Sequence, residues 1–294
     1  MSVQLKLTGQ GKDLGGGFWV RRLLPAARRQ SVGPFLFLDH FGPVTVQPGA
    51  SHDVRPHPHI GLATVSYLFE GAIMHRDSLG SVQRIEPGAI NWMTAGRGIV
   101  HSERGPEDLR DKAYVNHGLQ LWAALPKAYE DVAPEFSHTP AAAIPVVSVD
   151  GSEVRVLIGE AFGQTSPVKT FSKTIYLDIQ LAAGARLELP ALADELALYP
   201  VDGDLVVDGE PVAAHTLATL APGMAVQISA SAPARLVVIG GDALDAHRFI
   251  WWNFVSSCKE RIVQAGDDWA AQKMGQVGGE TEFIPLPERR FSAG

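Results

Sequence analysis

Short hydrophobic runs alternate with glycine-containing turns along most of this chain. In the first half, four such runs follow one another at a spacing of about ten residues. They are Thr64 to Phe69, Ala72 to Asp77, Ser81 to Ile85 and Ala89 to Met93. Strand-like runs at this spacing are typical of all-β sandwiches and barrels, whose strands cross the domain and reverse at tight turns. The pattern therefore predicts an all-β fold.

The same pattern returns in the second half, over Thr174 to Leu181, Leu196 to Val201 and Met224 to Ser229. Two turn signals also repeat: Glu70-Gly71 precedes Asp202-Gly203 by 132 residues, and Pro87-Gly88 precedes Pro222-Gly223 by 135. Between the halves, prolines and alanines over 134–147 are typical of a linker. We therefore predict two β units in tandem, over 1–133 and 148–294.

One amphipathic helix is predicted near the C-terminus, over about 257–274. Ser257 and Glu260 have the spacing of a capping box, and Gly275 could end the helix. Apolar residues follow at three- to four-residue spacing: Cys258, Ile262, Ala265, Trp269 and Ala270. We expect this helix to cover a sheet face, with Cys258 as a structural thiol on its apolar side.

Two pairs of metal-binding side chains bracket the strand-like region of the first half. His57 and His59 precede it, and His101 and Glu103 follow it. Residues two apart on a strand point to the same face, so each pair can reach one point. Three imidazoles and a carboxylate suit a divalent first-row metal such as iron, manganese, nickel, copper or zinc. The alternative is two unrelated pairs of surface polar residues.

The second half does not repeat these ligands. Shifting the four positions by the two offsets reaches Leu189, Ala191, Leu236 and Val238, all apolar. The sequence therefore predicts one metal site in the first barrel and a second barrel whose corresponding positions are filled with hydrophobic side chains.

The composition narrows the class of protein. Of 294 residues, 46% are hydrophobic, and glycine (30) and proline (20) are plentiful, as tight turns require; Gly15 to Gly17 predicts one of them. A net charge of −7 without a basic tract argues against direct nucleic-acid binding. The single cysteine, Cys258, excludes an intrachain disulfide. With no predicted signal peptide or membrane span, we expect a cytoplasmic protein.

Several long motifs resemble the pirin family of bicupins. They are His57-Pro58-His59-Ile60-Gly61-Leu62-Ala63-Thr64-Val65, Tyr67-Leu68-Phe69-Glu70-Gly71, the run from Asn91 to Glu103, and the run from Phe249 to Ser257. The resemblance implies two cupin β-barrels with a metal only in the first. It assigns the ligand roles to His57, His59, His101 and Glu103. One departure from the general cupin pattern is Asn91, which stands where a Pro-Gly-x-x-His motif supplies a ligand.

The resemblance implies two kinds of function, because pirins are described both as quercetin 2,3-dioxygenases and as regulators that bind protein partners. As an enzyme, the chain would bind a metal, with Fe(II) as our first expectation, and a small phenolic substrate. Glu103 would accept the phenolic proton. As a regulator, it would change its affinity for a protein partner with the state of the metal. A purely structural zinc site is a third reading, but such sites are usually rich in cysteine.

Overall fold

The computed structural model describes residues 1–14, 18–50 and 52–292, so the turn predicted at Gly15 to Gly17 lies outside the described residues. The strands of the first half are β1 (Val3–Thr8), β2 (Gln10–Asp13), β3 (Trp19–Leu24), β4 (Phe35–Val46), β5 (Val54–His59), β6 (Leu62–Glu70), β7 (Ile73–Asp77), β8 (Val82–Ile85), β9 (Ile90–Thr94), β10 (Ile99–Arg104), β11 (Tyr114–Ala124) and β12 (Glu135–Thr139).

The strands of the second half are β13 (Val146–Val149), β14 (Ser152–Ile158), β15 (Glu160–Ala161), β16 (Gln164–Thr165), β17 (Thr174–Leu181), β18 (Arg186–Leu189), β19 (Glu195–Asp202), β20 (Leu205–Val207), β21 (Glu210–Val212), β22 (Thr216–Leu220), β23 (Val226–Ser229), β24 (Ala234–Gly241), β25 (Phe249–Trp251) and β26 (Phe254–Ser256). Helix α1 (Lys259–Ala270) follows, and short 3-10 turns cover Glu107–Leu109, Lys127–Tyr129 and Ala141–Ala143. The predicted all-β fold with one C-terminal helix is confirmed.

Two compact units divide the chain. The first barrel comprises residues 12–20, 39–138 and 244–294. A sheet of order β12-β9-β6-β11-β4-β3-β2 runs through it, and a smaller sheet has the order β5-β10-β7-β8. An apolar cluster fills part of its interior, formed by Phe18, Val20, Phe41, Leu68 and Ile85. The small sheet carries the residues predicted to bind metal.

The second barrel comprises residues 1–11, 21–38 and 139–243. Its sheets have the orders β1-β22-β19-β24-β17-β14-β13 and β18-β23-β20-β21. Three of the apolar positions that replace the predicted ligands, Leu189, Leu236 and Val238, lie in its hydrophobic core. The fourth, Ala191, is exposed and lies beyond the end of β18. The prediction that hydrophobic side chains fill the corresponding positions of the second barrel is therefore confirmed at three of the four positions.

These units differ from the predicted boundaries at both ends of the chain. Strand β1 pairs with β22, which places the N-terminal residues in the second barrel. The tail returns to the first barrel, where Phe254 is fully buried against Ile60 and Val100. Pairing between residues more than 200 positions apart leaves no local signal in the sequence, so the two halves of the sequence do not delimit the units. The predicted linker also contains β12, the start of β13 and a 3-10 turn.

The helix is shorter than predicted, and the predicted capping box is wrong. Helix α1 begins at Lys259 after an extended Cys258, with no side-chain cap. Ser257 donates its hydroxyl and its amide to the Glu130 carboxylate instead, at 3.1 and 2.9 Å. Cys258 is exposed rather than buried. Ile262, Ala265 and Trp269 are buried as predicted, in the cluster that includes Phe254, but Ala270 is exposed.

Within the described residues, no helix combines the length and the hydropathy that a membrane crossing requires.

Candidate metal centre

The three predicted histidine ligands lie on two antiparallel strands of the small sheet. His101 on β10 is the direct partner of His57 on β5, and His59 is the partner of Ile99. Side chains opposite each other in an antiparallel pair project from the same face. His57 and His59 alternate with prolines on β5, so both imidazoles point to the same face as His101. The strand register thus brings together two motifs separated by more than 40 residues.

The imidazoles form a compact, buried cluster. The ligand-capable atoms of His57, His59 and His101 lie within 4.8 Å of one another. Their ring centroids are 4.4 Å apart for His57 and His101, 5.0 Å for His57 and His59, and 5.1 Å for His59 and His101. The side chains are between 1% and 7% exposed. Among the residues that the structure describes, this is the only group of three that could hold a metal ion.

Backbone carbonyls orient two of the rings. His57 Nδ1 lies 2.8 Å from the carbonyl oxygen of Arg55, and His59 Nδ1 lies 3.1 Å from that of Asn253. Because a carbonyl oxygen only accepts hydrogen bonds, Nδ1 carries the hydrogen in both rings. Each Nε2 is then left with the lone pair that binds a metal.

A buried atom without a partner supports the same conclusion for the third ring. His101 Nε2 is buried and has no hydrogen-bond partner among the described residues. A polar atom in this position costs free energy unless something pairs with it. A divalent metal ion bound at Nε2 supplies that partner, so the residues present fit a metal.

Two contacts from the tail and the large sheet support His59. Its ring lies edge-on to Trp122 of β11, with centroids 5.2 Å apart. Gly61 follows the His-x-His motif with a φ of +69°, and a Cβ there would lie 2.0 Å from the carbonyl oxygen of Val255. Only glycine permits this close approach, which allows the tail to bring Asn253 against His59. Trp122 and Asn253 were missed from the sequence, because neither lies near the motif along the chain.

Glu103 lies beside the cluster but outside the group of three. It is half-buried on β10, two residues after His101, and the pairing of β10 with β5 is irregular between these residues. Its Oε1 lies 3.5 Å from the hydroxyl of Ser66. Desolvation by burial raises the pKa of Glu103. The structure therefore places Glu103 next to the histidines, and its role as fourth ligand stays a prediction.

Asn91 occupies the position where ordinary cupins would supply a histidine ligand. It lies on β9 opposite Ser66 and is 2% exposed. Its Oδ1 lies 2.7 Å from Nδ1 of His138. Its Nδ2 is buried without a hydrogen-bond partner among the described residues. An amide nitrogen carries hydrogens and no available lone pair, so Asn91 does not offer a metal ligand on that side.

Burial also sets the charge of the imidazoles. It lowers the pKa of His57 from 6.5 to about 4, and it lowers the pKa values of His59 and His101 well below 6.5. The cause is the cost of placing a charged ring in a site without water. All three rings are therefore neutral at pH 7, and a metal does not compete with protons for them.

We expect the metal-free protein to lose stability as the pH falls from about 6.5 towards 4. In this range the unfolded chain binds more protons than the folded one, so the free energy of unfolding decreases. The pKa of His57 alone implies on the order of 3 kcal/mol. The raised pKa of Glu103 has the opposite effect on the free energy of unfolding. It is one group, whereas three histidines lower the stability in this range. Denaturant unfolding with a chelator at pH 7 and pH 4.5 measures the difference.

The matched variant for this measurement is His57→Leu, which has no proton to gain at that position. Its unfolding free energy should depend less on pH than that of the wild type. Equal values at pH 7 and pH 4.5 for the wild type would contradict the prediction.

Comparison with known proteins agrees with this geometry. The family model described as Pirin matches residues 17–123, and the model described as Pirin C-terminal cupin domain matches residues 176–275. The chain belongs to the pirin family. The resemblance seen in the motifs is therefore confirmed, and the two barrels are cupin domains.

One relative in sequence and two solved structures illustrate the range of similarity. The pirin-like protein of Caulobacter vibrioides is 46% identical over 290 residues, which cover 97% of this chain and 100% of that one. A crystal structure of quercetin 2,3-dioxygenase from Acinetobacter baumannii is 33% identical, with a TM-score of 0.92 over 99% of this chain and 97% of that one. The bacterial pirin YhhW from Escherichia coli, in complex with nickel(II), is 15% identical, with a TM-score of 0.63 over 82% and 99%. At that identity the likeness to YhhW shows the fold alone.

Proposed function

We propose that this pirin is a metal-dependent dioxygenase of quercetin-type flavonols. In this proposal His57, His59, His101 and Glu103 hold the metal. The observation that carries it is the buried group of three neutral imidazoles, in which His101 Nε2 has no protein partner within the described residues. The similarity to the quercetin 2,3-dioxygenase of Acinetobacter baumannii over nearly the whole of both chains supports the substrate class.

Fe(II) is our first choice of metal, because three imidazoles and a carboxylate suit divalent iron. Manganese, nickel, copper and zinc have overlapping ligand preferences. Each of these metals is therefore tested after iron. When bound, such a metal would act as a Lewis acid that lowers the pKa of a bound hydroxyl and orients the substrate.

The residues around the cluster supply the remaining functions. Glu103 is the candidate base for the flavonol hydroxyl, because its carboxylate follows His101 by two residues on β10 and can accept the hydroxyl proton. Ser66 and Gln120 lie side by side next to it, with the Ser66 hydroxyl donating to Gln120 Oε1 at 2.7 Å. The Trp122 ring packs nearly perpendicular to the His59 ring and adds an aromatic surface. Together they give the interior of the first barrel both polar and aromatic surfaces for a phenolic ring.

The direct test measures turnover with a defined metal. Metal-free protein is loaded with Fe(II), quercetin is added under air, and flavonol absorbance is followed together with carbon monoxide release. Cleavage of the flavonol ring by one dioxygen molecule expels one carbon atom as carbon monoxide, so the two amounts should be equal. His101→Ala should show neither change.

Other outcomes of this experiment discriminate between the two functions of the family. Absence of turnover with iron, manganese, nickel and copper would overturn the dioxygenase proposal. The alternative is then a non-enzymatic regulator that binds a protein partner in a metal-dependent way. A pull-down that compares metal-loaded wild type with His101→Ala tests that alternative, because only metal-controlled partners would differ between the two.

A further inference from the structure

A second buried pair of polar residues lies beside the metal cluster, on the neighbouring strand of the small sheet. His75 and Asp77 are on β7, which pairs with β10 on the side opposite to β5. Asp77 is the strand partner of His101, and His75 is the partner of Glu103. His75 and Asp77 are 3% and 2% exposed. They share the i, i+2 spacing of the other motifs, but neither belongs to the group of three.

Hydrogen bonds link this pair to His101 in a row. Asp77 Oδ2 lies 3.0 Å from His75 Nε2, and His75 Nδ1 lies 3.4 Å from His101 Nδ1. The ring of Phe136 stacks on His75 at a centroid distance of 4.2 Å and an angle of 13°. The stacking fixes the plane of the His75 ring, so its two nitrogens stay directed at Asp77 and His101.

The orientation of Asp77 is itself fixed. Its Oδ1 accepts hydrogen bonds from the backbone amides of Leu79 and Ser81, at 2.9 and 3.0 Å. Those donors hold Oδ1 in the turn that follows β7, and Oδ2 is left to face His75. Burial alone would raise the pKa of Asp77, but the hydrogen bonds from His75 and Ser81 lower it. Asp77 is therefore an ionised acceptor.

We propose that Asp77 and His75 are positioning residues that set the hydrogen on His101 and so prepare its Nε2 for the metal. A carboxylate accepts only, so His75 carries its hydrogen on Nε2. His75 Nδ1 then has a lone pair and accepts the hydrogen of His101 Nδ1. His101 Nε2 is left with a lone pair, at the atom that has no partner in the described part of the chain. The proposal rests on His101 as a metal ligand, as in the proposed function.

The hydrogen-bonded chain from Asp77 through His75 thus keeps the hydrogen of His101 on Nδ1, as a single backbone carbonyl does for each of the other two rings. His57 and His59 use the carbonyl oxygens of Arg55 and Asn253. The acceptor for His101 is instead His75 Nδ1, and a substitution at Asp77 can change which nitrogen of His75 carries the hydrogen. That difference makes the proposal testable with a change of one atom.

The test is Asp77→Asn. The amides of Leu79 and Ser81 still require an acceptor, so the amide oxygen keeps the Oδ1 position and the NH₂ group faces His75. His75 must then accept at Nε2 and carry its hydrogen on Nδ1. His101 must in turn accept at Nδ1 and carry its hydrogen on Nε2, where it blocks the metal. This single isosteric change is therefore expected to switch the tautomer of both His75 and His101.

Two measurements on this variant do not depend on turnover. Long-range ¹H–¹⁵N correlation spectra of the metal-free protein report which nitrogen of each histidine carries hydrogen. We expect Nε2 for His75 and Nδ1 for His101 in the wild type, and the reverse in the variant. Titration with Ni(II) should show affinity reduced about 10- to 100-fold, the range typical of lost partners behind a metal ligand.

The matched control is Asp204→Asn, because Asp204 Oδ1 also accepts a backbone amide, from Ala214 at 2.8 Å, in the second barrel. It should leave the histidine spectra and the nickel affinity unchanged. The proposal is overturned if Asp77→Asn leaves the His101 tautomer as in the wild type, or if wild-type His75 carries hydrogens on both nitrogens at pH 7.

A second variant covers the case in which Asp77→Asn does not fold. His75→Phe preserves a ring against Phe136 and leaves the turn at Asp77 intact, but it removes the acceptor for His101 Nδ1. It should weaken nickel binding to a similar extent, and unchanged affinity would overturn the proposal. Since neither readout uses quercetin, a failure of the dioxygenase proposal leaves this test intact.

Discussion

Glu103→Gln is expected to retain most of the bound metal and to lose flavonol turnover by about 10²- to 10⁴-fold, the usual contribution of a general base. The three imidazoles remain, and they form the buried group by themselves. A glutamine side chain is nearly the same size as glutamate but does not accept a proton. Metal content after dialysis and the initial rate of quercetin loss measure the two effects separately.

The control for this variant is Glu153→Gln, an exposed glutamate on β14 of the second barrel. It should match the wild type in both metal content and rate. Turnover that is unchanged in Glu103→Gln would remove the base assignment. Loss of metal together with turnover would instead show that Glu103 acts mainly as a ligand.

His101→Ala is expected to abolish stable metal binding, with affinity reduced at least about 100-fold, and to abolish turnover with it. The variant removes one of the three imidazole ligands, whose ring centroid lies 4.4 Å from that of His57 and 5.1 Å from that of His59. Metal analysis of the purified variant and calorimetric titration with Fe(II) and Ni(II) measure the loss.

His247→Ala is a suitable control for that experiment, because His247 is an exposed histidine of the first barrel that contacts Phe249. It should bind metal as the wild type does. Circular dichroism would verify that the barrel of the His101→Ala protein remains folded. A His101→Ala protein that retains full metal content would contradict the assignment of this cluster as the metal site.

Local sequence patterns were reliable wherever the structure is decided by neighbours along the chain. The i, i+2 spacing of His57 and His59 placed both on one face of β5, as the strand geometry requires. Of the apolar residues predicted for α1, Ile262, Ala265 and Trp269 are buried, whereas Cys258 and Ala270 are exposed. The start of α1 was not predicted correctly, because Glu130, 127 residues earlier, accepts hydrogen bonds from Ser257 and removes it from the cap.

The residues that hydrogen-bond the histidine ligands could not be predicted from the sequence. Nothing in the motif around His101 indicates that β7 pairs with β10 and brings His75 and Asp77 next to His101. The carbonyl that orients His59 comes from Asn253, 194 residues later. Both contacts depend on which strands pair, and strand pairing over long separations is set by the packing of the whole barrel.

The sequence by itself determined the all-β class, the family and the four candidate ligands, since these depend on alternation, spacing and motif. Only the tertiary structure decided that β1 belongs to the second barrel and the tail to the first. It alone also decided that three imidazoles share one buried point while Glu103 lies outside that group. The physical reason is that spacing fixes the face on which a side chain lies, whereas strand register and burial fix what that side chain meets.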